Sequence, residues 1–169
     1  GDFAEYCRGK GAKSVLQVSM DSRHPVDVRE ALEKFGVAVE EWKVLKRTGR
    51  HIPGTQIARF AADAFGARLA AEGCGWLPDT IFFQDDYLAM GALMALLAAG
   101  VRIPEDVGVV TWANVNCGCG PIFVKPLTRM EANAAEDGAH LAGIVLEGLR
   151  TGKYEPGEVA PVFIPGETF

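Results

Sequence analysis

Two adjacent carboxylates and one tryptophan are the side chains whose types and positions could form a binding site. Asp85 and Asp86 follow the apolar run Thr80–Phe83 and precede a helical pattern, and Trp112 ends the next apolar run. In an open parallel sheet, ligands bind at the carboxyl ends of the strands. One carboxylate can cap the helix there while the other accepts hydrogen bonds from ligand hydroxyls, and an aromatic face beside it suits a sugar. One of the two carboxylates and Trp112 are therefore predicted ligand contacts, and the other carboxylate is predicted to cap the helix. The alternative is that both carboxylates only cap the helix and that Trp112 is a core residue.

Other patterns that carry chemistry do not occur in the sequence. His24, His51 and His140 lie far apart and in no metal-ligand spacing, and Cys117-Gly-Cys119 has no second pair to complete a zinc site. The sequence has no Walker A motif, no glycine-rich dinucleotide fingerprint after a strand and no nucleophile elbow. We therefore predict no catalytic residue, no metal site and no cofactor. An enzyme on a doubly wound sheet would need one of these motifs.

Composition narrows the function classes further. The 169 residues carry 17 Lys and Arg against 22 Asp and Glu, a net charge of −5. DNA binding through phosphates needs a basic footprint, so this chain is not expected to bind DNA by itself. The apolar-rich run 87–101 is shorter than the ~18 residues of a membrane span. Four cysteines are too few for a disulfide framework, which favours a cytoplasmic location. Because the chain opens without Met, we expect it to be part of a longer protein.

The order of elements predicts the fold. Apolar runs alternate with helical patterns, which indicates a three-layer α/β/α sandwich around a mostly parallel sheet. The predicted helices are 3–11, 26–35, 55–72 with Thr55 as cap, 86–99 and 132–150, and the predicted strands are 14–20, 37–45, 80–83, 107–112 and 159–164, with a loop over 114–120.

The helix over 86–99 is apolar on more of its surface than one sheet face requires. From Tyr87 to Ala99 it carries no charge, whereas an amphipathic helix needs an apolar stripe of only about 100° or somewhat more. A second helix layer or another subunit would cover the remainder. A small-residue helix buried within one domain is an equally good interpretation.

Three segments resemble the lactose-repressor/galactose-repressor (LacI/GalR) family. They are PDTIFFQDDYLAMGAL (78–93), AGVRIPEDVGVV (99–110) and PLTRM (126–130), the last followed by a helix. The resemblance implies a regulator in which a helix-turn-helix domain binds operator DNA. A two-lobed, periplasmic-binding-protein-like domain binds an effector, often a sugar or a nucleobase, and also dimerises. The chain matches the C-terminal part of that effector domain.

The family pattern also implies site residues, and this chain departs from it. The family's Asn-Asp pair is Asp85-Asp86 here, and its Gly-Phe/Tyr-Asp-Asp turn is Thr111-Trp112-Ala113-Asn114. Ala113 cannot make the contact of the aspartate it replaces, and the family's arginine signature is not kept, so Arg23 is expected to supply a guanidinium from a shifted position. The predicted ligand contacts are Asp85, Trp112, Arg23 and Asn114, and the predicted helix cap is Asp86.

The resemblance divides the chain between two lobes. Residues 1–114 are expected to form the second lobe, 127–150 a crossover strand and helix that normally belong to the first lobe, and 151–169 the return to the second. The apolar side of helix 132–150 then needs cover. We expect this helix to pack on this lobe in an abnormal way, to exchange with a second chain, or to lie in a non-native dimer. Family dimers use the helix after Asp86, so the predicted dimer face is Tyr87, Met90, Leu93, Met94 and Leu97.

The resemblance therefore implies the effector-sensing and dimerisation domain of a bacterial LacI-type regulator. Its partners would be a sugar-like effector, a second copy of the chain, and operator DNA through a helix-turn-helix domain absent from this chain, with no membrane contact. The alternative is a periplasmic sugar-binding protein of an ABC transporter, which would need a signal sequence. The Ile-Pro-Glu-Asp-Val segment and the cysteine usage favour the regulator.

Overall fold

A computed structural model describes residues 2–20, 27–45, 52–115, 124–154, 157 and 159–169. Within these ranges, helices and strands alternate along most of the chain. In chain order they are α1 (Asp2–Gly9), β1 (Ser14–Met20), α2 (Arg29–Glu33), β2 (Ala38–Leu45), α3 (Gly54–Glu72), β3 (Thr80–Phe83), α4 (Asp86–Ala98), β4 (Gly108–Asn114), β5 (Thr128–Ala132), α5 (Ala134–Thr151) and β6 (Val162–Ile164).

The six strands form one sheet in the order β2-β1-β3-β4-β5-β6. Every neighbouring pair from β2 to β5 is parallel, and only β5 and β6 run antiparallel. β3 is buried at all four positions, as expected for a central strand covered on both faces. The prediction of an α/β fold with a mostly parallel sheet is confirmed.

Helices cover both faces of the sheet. Alternate side chains of β3 point to opposite sides: Ile81 and Phe83 pack with α3 and α4, whereas Phe82 packs with α1 and α2. The period of two along the strand produces this division. The result is the predicted three-layer sandwich.

Helices α3 and α4 approach each other closely at a glycine. A Cβ on Gly91 would collide with the backbone carbonyl of Ala58 on α3. The almost uniformly apolar α4 is thus covered by α3 on one side as well as by the sheet. Its neighbour in the same layer therefore covers part of its apolar surface, and cover by a second helix layer or another subunit stays a prediction.

The substitution Gly91→Ala is expected to lower the free energy of unfolding by about 1–3 kcal/mol, because the added methyl group forces the helices apart. Gly66→Ala on α3 is the matched control. A Cβ at Gly66 meets no atom within 4 Å, so the better helix propensity of alanine should stabilise the protein by up to about 1 kcal/mol. Urea denaturation of both variants measures the difference. Equal changes in the free energy of unfolding for the two variants would contradict the close packing of α3 and α4 at Gly91.

The carboxylate of Asp79 joins the starts of β1 and β3. It accepts hydrogen bonds from the Lys13 N–H (2.8 Å) and from the N–H and hydroxyl of Ser14 (3.0 and 3.1 Å). These bonds favour the charged form, and the Lys13 N–H is the largest cause that lowers the pKa of Asp79 below its ordinary value of 3.8. The pairing of the two strands is therefore tied to the ionisation of one side chain.

Asp79→Ala is expected to destabilise the protein at neutral pH by about 1 kcal/mol, since the carboxylate is mostly exposed. A folded-state pKa below the unfolded one means that this stabilisation is complete above the unfolded pKa of 3.8. It is lost as the pH falls through the folded pKa. The difference between wild type and variant in denaturant titrations should therefore shrink in acid. If the difference in the free energy of unfolding between wild type and Asp79→Ala were constant with pH, the stabilisation could not come from the charged form of Asp79.

The last residues of the chain join β4, β5 and α1. Thr168 is fully buried. Its hydroxyl donates to the Val109 carbonyl (2.7 Å) and accepts from the Thr128 N–H (2.9 Å). The Tyr6 hydroxyl donates to the carbonyl of Phe169 (3.0 Å). The C-terminal segment is thus an integral part of the sheet edge.

Several element boundaries differ from the predicted ones. Pro53, not Thr55, is the residue before α3, and no side chain caps that helix. The described part of the predicted helix 26–35 is helical only from Arg29 to Glu33. Asn114 ends β4 rather than opening a loop, and the remainder of that predicted loop, 116–120, lies outside the described residues.

Helix α5 leaves its apolar side uncovered. Gly148 is its only buried residue, and Leu146 and Leu149 are 66% and 69% exposed. The expectation that this helix packs on the present lobe in an abnormal way is therefore wrong. Leu141 and Val145 of the same helix are also at least half exposed.

Candidate functional site

The carboxyl edge of the sheet brings together three of the four predicted ligand contacts. Phe83 on β3 pairs with Thr111 on β4, so these strands end side by side. Asp85 follows β3, and Trp112 and Asn114 belong to the last three residues of β4. Asp85 and Trp112 are partly buried and Asn114 is exposed. The fourth predicted contact, Arg23, lies outside the described residues.

Asp85, not Asp86, is the N-cap of α4. Its Oδ1 accepts hydrogen bonds from the N–H groups of Tyr87 (2.9 Å) and Leu88 (3.2 Å). Capping requires an extended residue directly before the first turn, and Asp85 has φ −153° and ψ 137°. Asp86 lies in the first turn, where its Oδ1 accepts only from the N–H of Tyr87 (3.0 Å). The prediction of Asp86 as the cap is corrected by one residue.

Trp112 belongs partly to the core. It packs against the cluster under α1 and α2, together with Met130 and Phe163, and Met130 is its register partner on β5. The indole nevertheless remains partly exposed. The core interpretation of this residue therefore holds in part, because its packed side fixes the ring, and contact with a ligand stays a prediction.

Three polar side chains near this edge were missed by the sequence analysis. Ser19 is fully buried, and its hydroxyl donates to Glu41 Oε1 (2.9 Å). Gln17, also buried, accepts the N–H of Val28 at its Oε1 (3.0 Å). Gln17 and Ser19 alternate with apolar residues in β1. Polar residues at alternate positions of an otherwise apolar strand could have indicated buried polar side chains on one face of this strand.

A carboxylate also lies beside Ala113. Glu131 on β5 is the register partner of Ala113, and its Oε2 pairs with Arg129 Nε at 2.7 Å. The Glu131 side chain is 19% exposed. The edge therefore has an acidic group one strand away from Ala113, where the resemblance implies an aspartate.

The predicted dimer face is exposed at most of its positions. Tyr87, Met94 and Leu97 are exposed and Met90 is partly buried, and their spacing places them on one side of α4. Leu93 is 5% exposed and packs in the core. The prediction of Leu93 as part of the dimer face was wrong, because the helical period turns this side chain towards the sheet together with Ala89 and Leu96.

Ionisable groups elsewhere have ordinary structural roles. Burial raises the pKa of the Cys7 thiol to about 12, so this thiol stays protonated and behaves as an apolar core side chain.

Across the described ranges, no group of three or more His, Cys, Asp or Glu residues is placed to hold a metal ion. None of the described helices is both long and apolar enough to cross a bilayer. A cavity of about 850 Å³ lies along α5 beside His140, Ile144 and Glu147 rather than at the sheet edge.

Comparison with known proteins places this architecture in a family. The profile described as "Periplasmic binding protein-like domain" matches residues 4–169. The HTH-type transcriptional repressor PurR of Photobacterium profundum is 27% identical over 127 residues, which are 75% of this chain and 36% of that protein. The sucrose operon repressor of Escherichia coli is 36% identical over 75 residues, which are 44% of this chain and 22% of that protein. The chain thus spans about a third or less of the curated relatives that it matches.

Solved structures agree on the fold. A LacI family transcriptional regulator from an Arthrobacter species, in complex with lactose, superposes with a TM-score of 0.68 at 20% identity. The match covers 99% of this chain and 63% of that one. The resemblance to LacI/GalR regulators, identified above from segments 78–93 and 99–110, is confirmed by these relatives. The chain belongs to the family of periplasmic binding protein-like domains.

Proposed function

We propose that this chain is the C-terminal part of the effector-binding domain of a bacterial LacI-type transcriptional regulator, and that it binds a sugar or sugar-like effector at the carboxyl edge of its sheet. The observation that carries the proposal is the convergence of Asp85, Trp112 and Asn114 at that edge. The named repressors among its relatives and the lactose complex of a structural neighbour support it. Neither an enzyme nor a cofactor is part of the proposal.

Each side chain has a distinct role in this proposal. The Asp85 carboxylate accepts hydrogen bonds from ligand hydroxyls, since an ionised carboxylate only accepts. The Trp112 ring packs on the C–H face of the sugar. Asn114 both donates and accepts, and Arg23 adds a guanidinium. Glu131 supplies the acidic group that Ala113 lacks.

The lobes and partners follow from the same proposal. Residues 1–114 and 151–169 belong to the second lobe, and 127–150 complete the first lobe, which covers the apolar side of α5 in the longer protein. The regulator is cytoplasmic and dimerises through Tyr87, Met90, Met94 and Leu97. Effector binding favours one arrangement of the lobes and so changes the spacing of two helix-turn-helix domains on operator DNA.

Asp85→Asn separates ligand binding from helix capping. Asparagine caps a helix about as well as aspartate, so the free energy of unfolding should change by less than about 1 kcal/mol. The affinity for the effector should fall about tenfold, because a charged acceptor is replaced by a neutral one. Calorimetric titration of the whole protein with a panel of sugars and nucleobases gives the affinity. Asp86→Asn, one residue away, is the control and should bind as the wild type does.

The same titrations test the effector class. Saturable binding of a sugar that Asp85→Asn weakens would support the proposal. Binding of nucleobases alone, or a sugar affinity that Asp85→Asn leaves unchanged, would contradict it.

The gene upstream of Gly1 distinguishes the regulator from a transport receptor. A helix-turn-helix followed by about one more lobe of α/β pattern is expected for the regulator. A signal peptide with a charged start, an apolar run and a cleavage site would instead identify the periplasmic sugar-binding protein. Sequencing that region decides between them, and the repressor names of the relatives favour the first outcome.

A further inference from the structure

Strand β2 lies at one edge of the sheet, and its outer side has no strand partner among the described residues. It is also the longest of the described strands, with eight residues. An edge strand presents a row of N–H and C=O groups that can pair with a further strand. Natural proteins usually keep edge strands short or cover them. A long open edge is therefore a candidate interaction surface.

The backbone of β2 alternates between two directions. The N–H of Ala38 donates to a carbonyl in the segment before β1 (2.8 Å), so Ala38 and every second residue after it face β1. The carbonyl of Val39 faces outwards, because it accepts from Arg29 Nη1 (2.7 Å) on α2. Glu41 and Lys43 follow Val39 at the same period. Their outward N–H and C=O groups have no partner in the described ranges.

Two features limit the length of this outward row. Arg29 occupies the carbonyl of Val39 at one end. At the other end the register with β1 shifts after Lys43, and Val44 is an extra residue on β2. Such a bulge disrupts a regular ladder. A further strand therefore finds regular pairing positions over residues 41–43.

The side chains at these positions carry opposite charges on one face of the sheet. Glu41 and Lys43 are both exposed, and the two-residue period places them on the same side. The Ser19 hydroxyl holds the Glu41 carboxylate by donating to its Oε1 (2.9 Å), whereas the Lys43 side chain pairs with no described residue. Trp42 points to the other face, where its ring centroid lies 4.9 Å from that of Phe65.

Charge selects one register for an antiparallel pair of β2 strands. In a pairing centred on Trp42, Glu41 lies opposite Lys43 of the second copy, and Lys43 lies opposite Glu41. Opposite charges in direct cross-strand positions stabilise a pair, and like charges destabilise it. Centring the pair on Glu40, Glu41 or Lys43 places that residue opposite its own copy. Charges on an edge usually discourage pairing, but these two permit it in a single register.

We propose that β2 is a contact between two copies of this chain, which pair edge to edge as antiparallel strands centred on Trp42. Glu41 and Lys43 of each copy exchange backbone hydrogen bonds with Lys43 and Glu41 of the other, which gives four bonds across the contact. The same pairing forms two ion pairs on one face and makes the two Trp42 side chains cross-strand neighbours on the other. The two sheets then become one continuous sheet.

The β2 contact is separate from the dimer face on α4. Helix α4 packs on β3 and β4, whereas β2 lies beyond β1 at the edge of the sheet. Pairing through β2 would therefore connect the α4 dimers proposed above into a larger assembly. That consequence rests on the proposed function, but the β2 contact itself does not.

Carbodiimide cross-linking of the whole protein tests the contact directly, because the reagent joins a carboxylate to an amine that touches it. An equal mixture of ¹⁴N- and ¹⁵N-labelled chains is cross-linked and digested, and mass spectrometry reads the isotopes of each joined pair of peptides. We expect amides between Glu41 and Lys43 that carry one label from each chain. Met94→Glu, which places a charge in the α4 face, should leave their yield unchanged.

Charge reversal tests the register. Glu41→Lys and Lys43→Glu, each alone, turn both ion pairs into like-charge pairs, so the dissociation constant from sedimentation equilibrium should rise at least about tenfold. In an equal mixture of the two variants, the lysines of one chain face the glutamates of the other. The mixture should therefore associate within about threefold of the unreversed protein.

The background and the control exclude other causes. Every protein in the sedimentation series carries Met94→Glu, so association through α4 does not contribute. Lys10→Glu makes the same change of charge outside β2 and should leave the dissociation constant unchanged. Circular dichroism melting checks that each variant is folded.

Three results would overturn the proposal. If no Glu41–Lys43 amide forms between chains, β2 stays open or is covered by another part of the longer protein. If both single variants keep the original dissociation constant, the association lies elsewhere on the surface. If the mixture of variants does not recover, the loss in each variant does not come from paired charges.

Discussion

Replacing Phe65 with alanine is expected to lower the free energy of unfolding by about 3–5 kcal/mol, because it empties the centre of the core under α3. The Phe65 side chain is fully buried. Its ring centroid lies 4.9 Å from that of Trp42 and 5.8 Å from those of Trp76 and Phe83. The substitution therefore removes aromatic contacts with β2 and β3 and with the segment before β3 at once.

Phe60→Ala provides the matched control on the same helix. Phe60 is 40% exposed, so its truncation should cost less than about 1 kcal/mol. Chemical denaturation, followed by far-ultraviolet circular dichroism, measures both variants under the same conditions. If the two losses were similar, the assignment of Phe65 to the centre of the core would be wrong.

Thr168→Val should cost about 2–4 kcal/mol even though the two side chains have nearly the same shape. The methyl group that replaces the hydroxyl leaves the Thr128 N–H without its acceptor and removes a donor from the Val109 carbonyl. Unpaired buried polar groups cost about 1–3 kcal/mol each. The backbone bond from the Val109 N–H to the Thr168 carbonyl remains, so the effect isolates the hydroxyl.

Thr55→Val is the control for that substitution. Thr55 is exposed, and its side chain does not cap α3. The same chemical change should therefore alter the stability by less than about 0.5 kcal/mol. A large loss in Thr55→Val would restore the capping role that the sequence predicts for this residue. A small loss in Thr168→Val would show that the C-terminal segment contributes little.

The strands were the most predictable elements. β1 and β3 have the bounds expected from their apolar runs, since β-branched and aromatic residues are flanked there by polar or turn-forming residues. The parallel arrangement then placed Asp85 and Trp112 at one edge without knowledge of the strand order. The sandwich fold and that edge could thus be inferred from local patterns combined with one rule of α/β architecture.

The wrong predictions concern residues whose local sequence pattern fits two structures equally well. Adjacent aspartates both suit an N-cap, and only the backbone angles of Asp85 decide between them. In α4 nearly every residue is apolar, so its sequence carries no periodic signal that would have assigned Leu93 to the core. Thr55 is a good capping residue, but the helix begins before it, directly after Pro53.

The uncovered side of α5 shows a different limit. The apolar spacing of this helix is plain in the sequence, but the described residues do not include what covers it.

The contact between Tyr6 and Phe169 brings the two ends of the chain together. Tyr6 lies four residues into α1, about 6 Å along the helix axis from Asp2. A short linker could therefore close the backbone into a ring, and new ends could be opened at the exposed turn around Gly73 and Cys74. The same proximity makes the chain suitable for insertion as a unit into a surface loop of a fluorescent protein. Such a fusion would test the proposed effector site, because ligand binding at the carboxyl edge of the sheet is expected to change the optical signal.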